Sequence, residues 1–390
     1  MDYNLIQDVV VHGTVVVRTD LNVPISRGQV QDVTRILESY KTIKYILETG
    51  ADRVVIISHF GRPKGKIVDD LSLKHIIPNL EEIYGQKVAF YTFQDIAQIR
   101  QSNAKIILLE NIRFNSEEES NDDDFAKSLA EIGDFYVNDA FSASHRTHAS
   151  VAGVAQYIKV YAGLLLQSEI TTIENILHNT QKEKVCTIIG GSKVSTKFDL
   201  LKNLIHQSQT IILGGGMANT FLYAQGFAIG SSMFEESFSP LCLDILKKAQ
   251  EIGTQIILPT FVITSKKFED SQDIEVKHIN NIQENDIIVD VSLEKELESI
   301  IDAVEYIVWN GPLGAFEIQP FKCGTESVAR IIAKYTSIGS IKSIIGGGDV
   351  VCAIASSGLK NSMTYISTGG GAFLEWFEGR KLPGIDICKK

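Results

Sequence analysis

Residues 185–216 read VCTIIGGSKVSTKFDLLKNLIHQSQTIILGGG. A β-branched run ends in a glycine pair, a helix is expected to open across GGSKVSTK, and a second run ends in a glycine triplet. This is one strand–helix–strand unit of a parallel sheet. The alternation continues in both directions. Upstream lie GTVVVRTD (13–20), DRVVIIS (52–58), AKIILLE (104–110) and DFYVND (134–139). Downstream lie TQIILP (254–259), DIIVDV (286–291), EYIVWNGP (305–312), IKSIIGGGD (341–349) and TYISTGGG (364–371). All are assigned to α/β units around parallel sheets, and ligands are expected beyond the carboxyl ends of the strands. Between the first two runs Ile36, Leu37, Tyr40, Ile43 and Leu47 recur at helical spacing, with Asp32 or Thr34 as cap and Gly50 as stop. Residues 155–182 contain no proline, and Leu166, Ile170, Ile173, Ile176 and Leu177 fall at helical spacing. A helix therefore connects the two halves.

Composition bounds the function. The 390 residues are 44% hydrophobic and 22% charged, enough for two or three domains. A net charge of −11 repels nucleic acid and anionic membrane, so any anion must be captured by a local basic cluster. The five cysteines form no Cys-x-x-Cys pair, which fits reduced thiols and excludes a disulfide or zinc scaffold. No run of 18 apolar residues and no cationic leader is visible, and a cytoplasmic location is expected.

Residue usage differs between the halves. Eight of ten arginines lie in the first 160 residues, whereas 22 of 30 glycines lie beyond them. Arginine forks suit carboxylate and phosphate, and glycine-rich turns suit polyphosphate. In the first half each strand is followed by polar residues: Asp20-Leu21-Asn22, then His59-Phe60-Gly61-Arg62, then Asn111 and Arg113, then His145-Arg146. Arg35 in the first turn of its helix opposes the helix dipole, which an anionic partner would offset. In the second half, Lys193 and Lys197 stand four apart and would share one face of the opening turns of a helix. Gly346, Gly347 and Gly348 and the triplet Gly369 to Gly371 would form amide nests, and Gly214, Gly215 and Gly216 would form either a nest or only a tight turn. Asn310 and Glu317 would bond a ribose or base, and Asp349 suits Mg²⁺. Other readings fail. GRPKGK (61–66) is too short for a phosphate loop, no dinucleotide fingerprint is present, and His145 with His148 lacks further zinc ligands at usual spacing. The acidic run EEESNDDD (117–124) reads as a solvated loop leading into a helix.

Taken together, RTDLNVP, SHFGRP, LLENIRF, YVNDAFSASHRTHAS, GGSKVSTK, GGGMANTF, WNGPLGAFE, GGGD and STGGGAFLEWFEGRKLPGI occur in the order found in phosphoglycerate kinases, and the chain resembles that family from about residue 14 to 384. The resemblance implies two Rossmann-like domains: residues 1–163 with 376–390 for phosphoglycerate, 181–375 for nucleotide, and a helix and hinge at 164–180 between them. It implies reversible transfer of the acyl phosphate of 1,3-bisphosphoglycerate to Mg-ADP by a monomer that closes about its hinge. Asp20, Leu21, Asn22, Arg35, His59, Phe60, Gly61, Arg62, Arg113 and Arg146 would bind phosphoglycerate. Lys197, Gly214, Gly215, Gly216, Asn310, Glu317, Gly346, Gly347, Gly348 and Asp349 would bind nucleotide, with Asp349 organising Mg²⁺. Arg35, Lys193 and Lys197 would be catalytic. Several residues depart from the family pattern. Val350 replaces Thr or Ser, implying a missing hydroxyl contact, while Phe261 and Ser292-Leu293 replace an Asp and a Gly-Pro, and FSASHR varies the commoner FGTAHR. A weakened nucleotide- or partner-binding protein of the same fold is the alternative.

Overall fold

The computed structural model describes residues 2–26, 28–269 and 273–390, so Arg27, one of the counted arginines, lies outside the described residues. The chain divides into two compact units, Met1–Thr171 with Arg380–Lys390, and Thr172–Gly379.

The first unit contains β1 (Thr14–Arg18), β2 (Ile25–Ser26), β3 (Gln29–Val30), β4 (Arg53–Ile57), β5 (Val88–Tyr91), β6 (Ile106–Leu109), β7 (Phe135–Asn138) and β8 (Val160–Ala162). Six of them form a parallel sheet in the order β5-β6-β4-β1-β7-β8. Residues 54–57 and 106–109 are buried throughout, as strands covered on both faces must be. The helix Thr34–Glu48 buries Ile36, Ile43 and Ile46, while Leu37 is exposed. Asp32 accepts the Thr34 N–H at 2.8 Å, and the helix stops before Gly50, whose φ of +127° suits glycine.

The second unit contains β9 (Val185–Ile189), β10 (Thr210–Leu213), β11 (Gln255–Ile257), β12 (Phe261–Ser265), β13 (Ile274–His278), β14 (Ile287–Ser292), β15 (Tyr306–Asn310), β16 (Lys342–Gly346) and β17 (Tyr365–Ile366). Its parallel sheet runs β11-β10-β9-β15-β16-β17. DIIVDV departs from the expectation. It is not in the parallel sheet; as β14 it pairs antiparallel with β12 in a separate ladder, β13-β12-β14. Local hydrophobicity marks a strand but not its sheet.

The helix Leu164–Asn179 carries the chain from one unit into the other. Leu166, Ile170, Ile173 and Ile176 are buried, while the Leu177 side chain lies outside the described residues. Its first amides are met by side chains from elsewhere in the first unit. Thr42 Oγ1 accepts from Leu164 at 3.0 Å, and the buried Asp139 accepts from Leu165 and Leu166 at 3.0 and 3.1 Å. A carboxylate there satisfies orphan donors and complements the helix dipole.

Candidate functional site

Parallel pairing brings the carboxyl ends of β6, β4, β1 and β7, neighbours in the sheet, to one edge of the first unit. The polar loops after them line up in the same order. Asp20 follows β1, is nearly buried, and meets Arg35 Nη1 at 2.9 Å through Oδ2 and 3.0 Å through Oδ1. It also accepts from the Asn22 amide at 2.9 Å and from the Ser142 hydroxyl. Arg35 donates to the Asn22 carbonyl at 2.8 Å, and Asn22 Oδ1 accepts the Gly61 amide at 2.9 Å. Leu21 is buried, with its amide on Ser58 Oγ at 2.8 Å. After β4, Phe60 exchanges hydrogen bonds with the Asn111 side chain at 3.0 and 2.7 Å, which ties the β4 loop to the β6 loop. Arg113 donates to the Gly61 carbonyl at 2.7 Å, while Arg62 is exposed beside this cluster.

The result is a concentration of positive charge in an acidic protein. Burial, then Arg146 and Arg18, push the Arg113 guanidinium down to about 10, with Glu119 and Glu118 opposing. Burial, followed by Arg62, lowers that of Arg146 as well. His59 is held well below its ordinary value by burial, then by Arg18, Arg113, Arg146 and Arg35. Its imidazole is therefore neutral at pH 7. An anion entering here would relieve the mutual repulsion of the guanidinium groups.

Two participants escaped the sequence reading. Arg18 is fully buried and reaches His59 Nδ1 at 3.3 Å, Ser150 Oγ at 3.0 Å and the Thr19 carbonyl at 2.6 Å. The signal was present, since a charge inside the apolar run VVVRTD must find partners. The second is Glu118. Instead of a solvated loop, Ser116–Ser120 is a short helix whose Glu118 is fully buried, accepting from Ser150 N and Oγ at 2.9 and 2.7 Å. His148, which the zinc reading would have used, stands 3.5 Å from Glu118.

In the second unit β9 leads outward through β10 to β11, and β15 leads the other way through β16 to β17, so the strand order reverses between β9 and β15. Lys197 occupies this switch point, where open α/β sheets bind ligands. Its Nζ donates to the Gly190 carbonyl at 2.7 Å and to Asn310 Oδ1 at 2.6 Å. Burial pushes its ammonium down to about 8, against the opposing charge of Asp349. The helix begins only at Phe198, with Lys197 as its N-cap, so the two lysines do not share a helix face as expected. Residues 191–197 instead form a turn in which Ser195 is clamped on Glu235, its N and Oγ at 2.8 and 2.6 Å. Lys193 is exposed on this turn.

The glycines are placed by crowding more than by free amides. The Gly214 and Gly215 N–H groups are used internally, on the Ile189 and Leu313 carbonyls at 2.9 and 2.8 Å, which corrects the expected nest. A Cβ at Gly190 would collide with the Pro312 carbonyl oxygen, so three strand-end turns approach as only glycine allows. A cavity of about 500 Å³ opens beside them, lined by Gly215, Gly216, Leu313, Asp290, Glu317 and Asp349 among others. Of the GGGD turn only Asp349 belongs to that lining. The first two glycines of that turn are explained by their own surroundings. Gly346 ends β16, and a Cβ there would run into the Phe373 ring. Gly347 is the N-cap of the helix Gly348–Ser356, has a φ of +113°, and would bring a Cβ to 2.6 Å from Asn310 Nδ2. A side chain at Gly347 is excluded by backbone conformation and by crowding together. Gly348, by contrast, has open space around its Cβ position.

Glu317 and Asp349 are exposed at the cavity wall, and Asp349 stands in the first turn of the helix Gly348–Ser356, where backbone N–H groups lack helical partners. Asn310 joins the turns by donating to the Gly346 carbonyl. Asp290 was also missed. It is buried, accepts from Thr325 N and Oγ1 at 2.9 and 3.1 Å, and burial pushes its carboxyl up to about 7. Among the described residues no group of three His, Cys, Asp or Glu side chains is arranged to hold a metal.

A family model described as phosphoglycerate kinase matches residues 6–380. The chain belongs to the phosphoglycerate kinase family. It is similar to the phosphoglycerate kinase of Rhizobium meliloti (strain 1021), 46% identical over 386 residues and 96% of each chain. That of Maricaulis maris (strain MCS10) is 43% identical over 388 residues, 97% of this chain and 96% of the other. Among solved structures, phosphoglycerate kinase from Coxiella burnetii matches with a TM-score of 0.89 at 37% identity, covering 99% of this chain and 98% of that one. The enzyme from Pyrococcus horikoshii OT3 matches with a TM-score of 0.82 at 28% identity over the same shares.

The departures from the phosphoglycerate kinase pattern sit in ordinary packing. Val350 is fully buried in the core cluster that also holds Trp309 and Ile354. Phe261 and Ser292 are cross-strand partners in β12 and β14, so two of the changes are neighbours. The Phe261 ring meets His278 edge-on at 5.2 Å. On this side the cavity is lined by Ile288, Val289 and Asp290, and Phe261, Ser292 and Leu293 stand outside that lining.

Proposed function

We propose that the protein catalyses reversible transfer of the acyl phosphate of 1,3-bisphosphoglycerate to Mg-ADP, forming 3-phosphoglycerate and Mg-ATP. The observation that carries this reading is the row of loops after β6, β4, β1 and β7, which gathers Arg113, Arg62, His59, Asp20, Asn22, Arg35 and Arg146 at one sheet edge. Phosphoglycerate binds there, with Leu21, Phe60 and Gly61 shaping the backbone. Nucleotide binds in the second unit. Its phosphates lie at Lys197 and at the helix start formed by Gly347, Gly348 and Asp349, which Gly346 leads into from β16. Its adenosine lies along Gly214 to Gly216, with Asn310 and Glu317 on the ribose side.

Phosphoryl transfer through a loose in-line transition state requires positioning and charge neutralisation, and no covalent intermediate. Arg35 and Lys193 supply charge to the transferring group, and Lys197 steadies the nucleotide phosphates. Mg²⁺ enters as part of the nucleotide substrate. One exposed carboxylate, Asp349, without a cluster of protein ligands among the described residues, fits a cation that keeps most of its oxygens from phosphate and water. When bound it neutralises the β- and γ-phosphate oxygens.

This reading takes the protein as a monomer working in the cytoplasm; among the described residues no helix is long and apolar enough to cross a membrane. The test is a coupled assay of ATP formation from 1,3-bisphosphoglycerate and Mg-ADP. Turnover is the expected result, and tight binding of both ligands without turnover would leave the weakened binder in its place.

A further inference from the structure

A chain of buried polar groups runs away from the arginine cluster, and the reaction as described does not use it. It begins at His59. A guanidinium can only donate, so the 3.3 Å contact from Arg18 Nη2 to His59 Nδ1 makes that nitrogen an acceptor. The imidazole proton then sits on Nε2. Arg18 is fixed in turn by Ser150 Oγ at 3.0 Å, and the Ser150 hydroxyl, whose proton must go elsewhere, donates to Glu118 Oε1 at 2.7 Å. The Ser150 amide holds the other Glu118 oxygen at 2.9 Å. Tyr136 Oη donates to the Ser150 carbonyl at 2.7 Å, so the serine backbone is pinned on both sides. Arg18, Ser150 and Glu118 are all fully buried.

An isolated carboxylate in such a place is costly unless it is paired, and Glu118 is paired toward the cationic cluster. Burial would raise its carboxyl, yet His148 3.5 Å away, the charge of Arg18 and the two bonds from Ser150 bring it below its usual value. It is ionised at neutral pH and is the buried counter-charge to Arg18.

We propose that Glu118 is a positioning residue for phosphoglycerate binding: through Ser150 and Arg18 it fixes His59 as the neutral tautomer whose Nε2–H is the donor offered to the substrate. The assignment rests on the function proposed above. It states which nitrogen of His59 carries the proton and why a buried acid lies behind an anion site. With Glu118 neutral, the Ser150 hydroxyl loses its charged acceptor and turns, Arg18 loses its fixed orientation, and the His59 proton is shared between both nitrogens.

The test uses Glu118→Gln, which keeps the side-chain shape, and Ser150→Ala, which breaks the chain one step later while leaving the acid. In the ligand-free wild type, ¹⁵N spectra of His59 are expected to show a protonated Nε2 and a bare Nδ1. In either variant the two signals move toward each other. KM for 3-phosphoglycerate rises about tenfold or more, the size of a lost charge-assisted hydrogen bond, while KM for ATP stays within about twofold. A folded variant with the wild-type His59 spectrum, or an equal rise in both KM values, overturns the assignment. If Glu118→Gln does not fold, Ser150→Ala decides alone. The spectra need no turnover, so wild-type inactivity with the expected spectral change would overturn the reaction and leave the positioning role standing.

Discussion

Arg35 stands in the first turn of its helix, where its charge opposes the local dipole, and Asp20 with the Asn22 carbonyl supplies the compensation. These partners hold Arg35 at the sheet edge where the proposed function places the phosphoglycerate. Arg35→Ala is accordingly expected to lower kcat at least about a hundredfold with little change in ADP affinity, as steady-state kinetics and ADP titration would register. Lys197 makes a second, pH-dependent prediction. Burial disfavours its charged form and brings its pKa to about 8, so the amine is charged at pH 7 and loses its proton as pH rises through 8. ADP affinity should fall by up to about tenfold between pH 7 and 9, and calorimetric titration of Lys197→Met should show that slope abolished. The arginines, lysines and glycines of both sites were legible because the chemistry of anions selects those residue types after strands. What each glycine does was less legible: Gly347 reads as one more amide of a nest, and only its φ and the nearby Asn310 side chain reveal a cap that admits no Cβ. Glu118 was not legible. In EEESNDDD nothing local separates the one carboxylate that faces Ser150 from those that face water, since the distinction is made by a loop 32 residues away in sequence.

At the level of elements, the central strands of both sheets announced themselves through β-branched runs. The edge strands β5 and β8 did not: Val88–Tyr91 is only partly buried and Val160–Ala162 is three residues long, so neither carries an apolar run of the length that marks a core strand. The inner turns of the second sheet show why glycine recurs there. The Pro312 carbonyl oxygen occupies the place where a Gly190 methyl would sit, and that oxygen belongs to backbone. Gly190→Ala should destabilise the second unit by about 2 kcal/mol or more, because the strand-end turns of β9 and β15 must separate. Gly226→Ala, with open space around its Cβ but a φ of +89°, should show only the cost of backbone strain, about 1 kcal/mol. Denaturant unfolding of the two variants side by side would measure the difference, and equal destabilisation would mean that crowding is not the reason for Gly190.

Across the whole molecule, a net charge of −11 coexists with two candidate sites for highly anionic ligands. Local clusters achieve this, one in each unit, and the reaction then requires the units to approach while water is kept from an acyl phosphate. Scattering profiles with 3-phosphoglycerate and Mg-ATP together should give a smaller radius of gyration than either ligand alone; an unchanged radius would contradict closure. Residues 380–390 belong to the first unit, where Asn138 Nδ2 donates to the Gly384 carbonyl at 2.8 Å and the Asn4 amide donates to the Cys388 carbonyl at 2.7 Å. A ribosome makes these residues after all of the second unit. The second unit is one uninterrupted stretch of chain, whereas the first, although begun earlier, lacks the partners of Asn4 N and Asn138 Nδ2 until residues 380–390 arrive. Birth order and completion order are reversed, so the unit begun first is closed only after the other has been made.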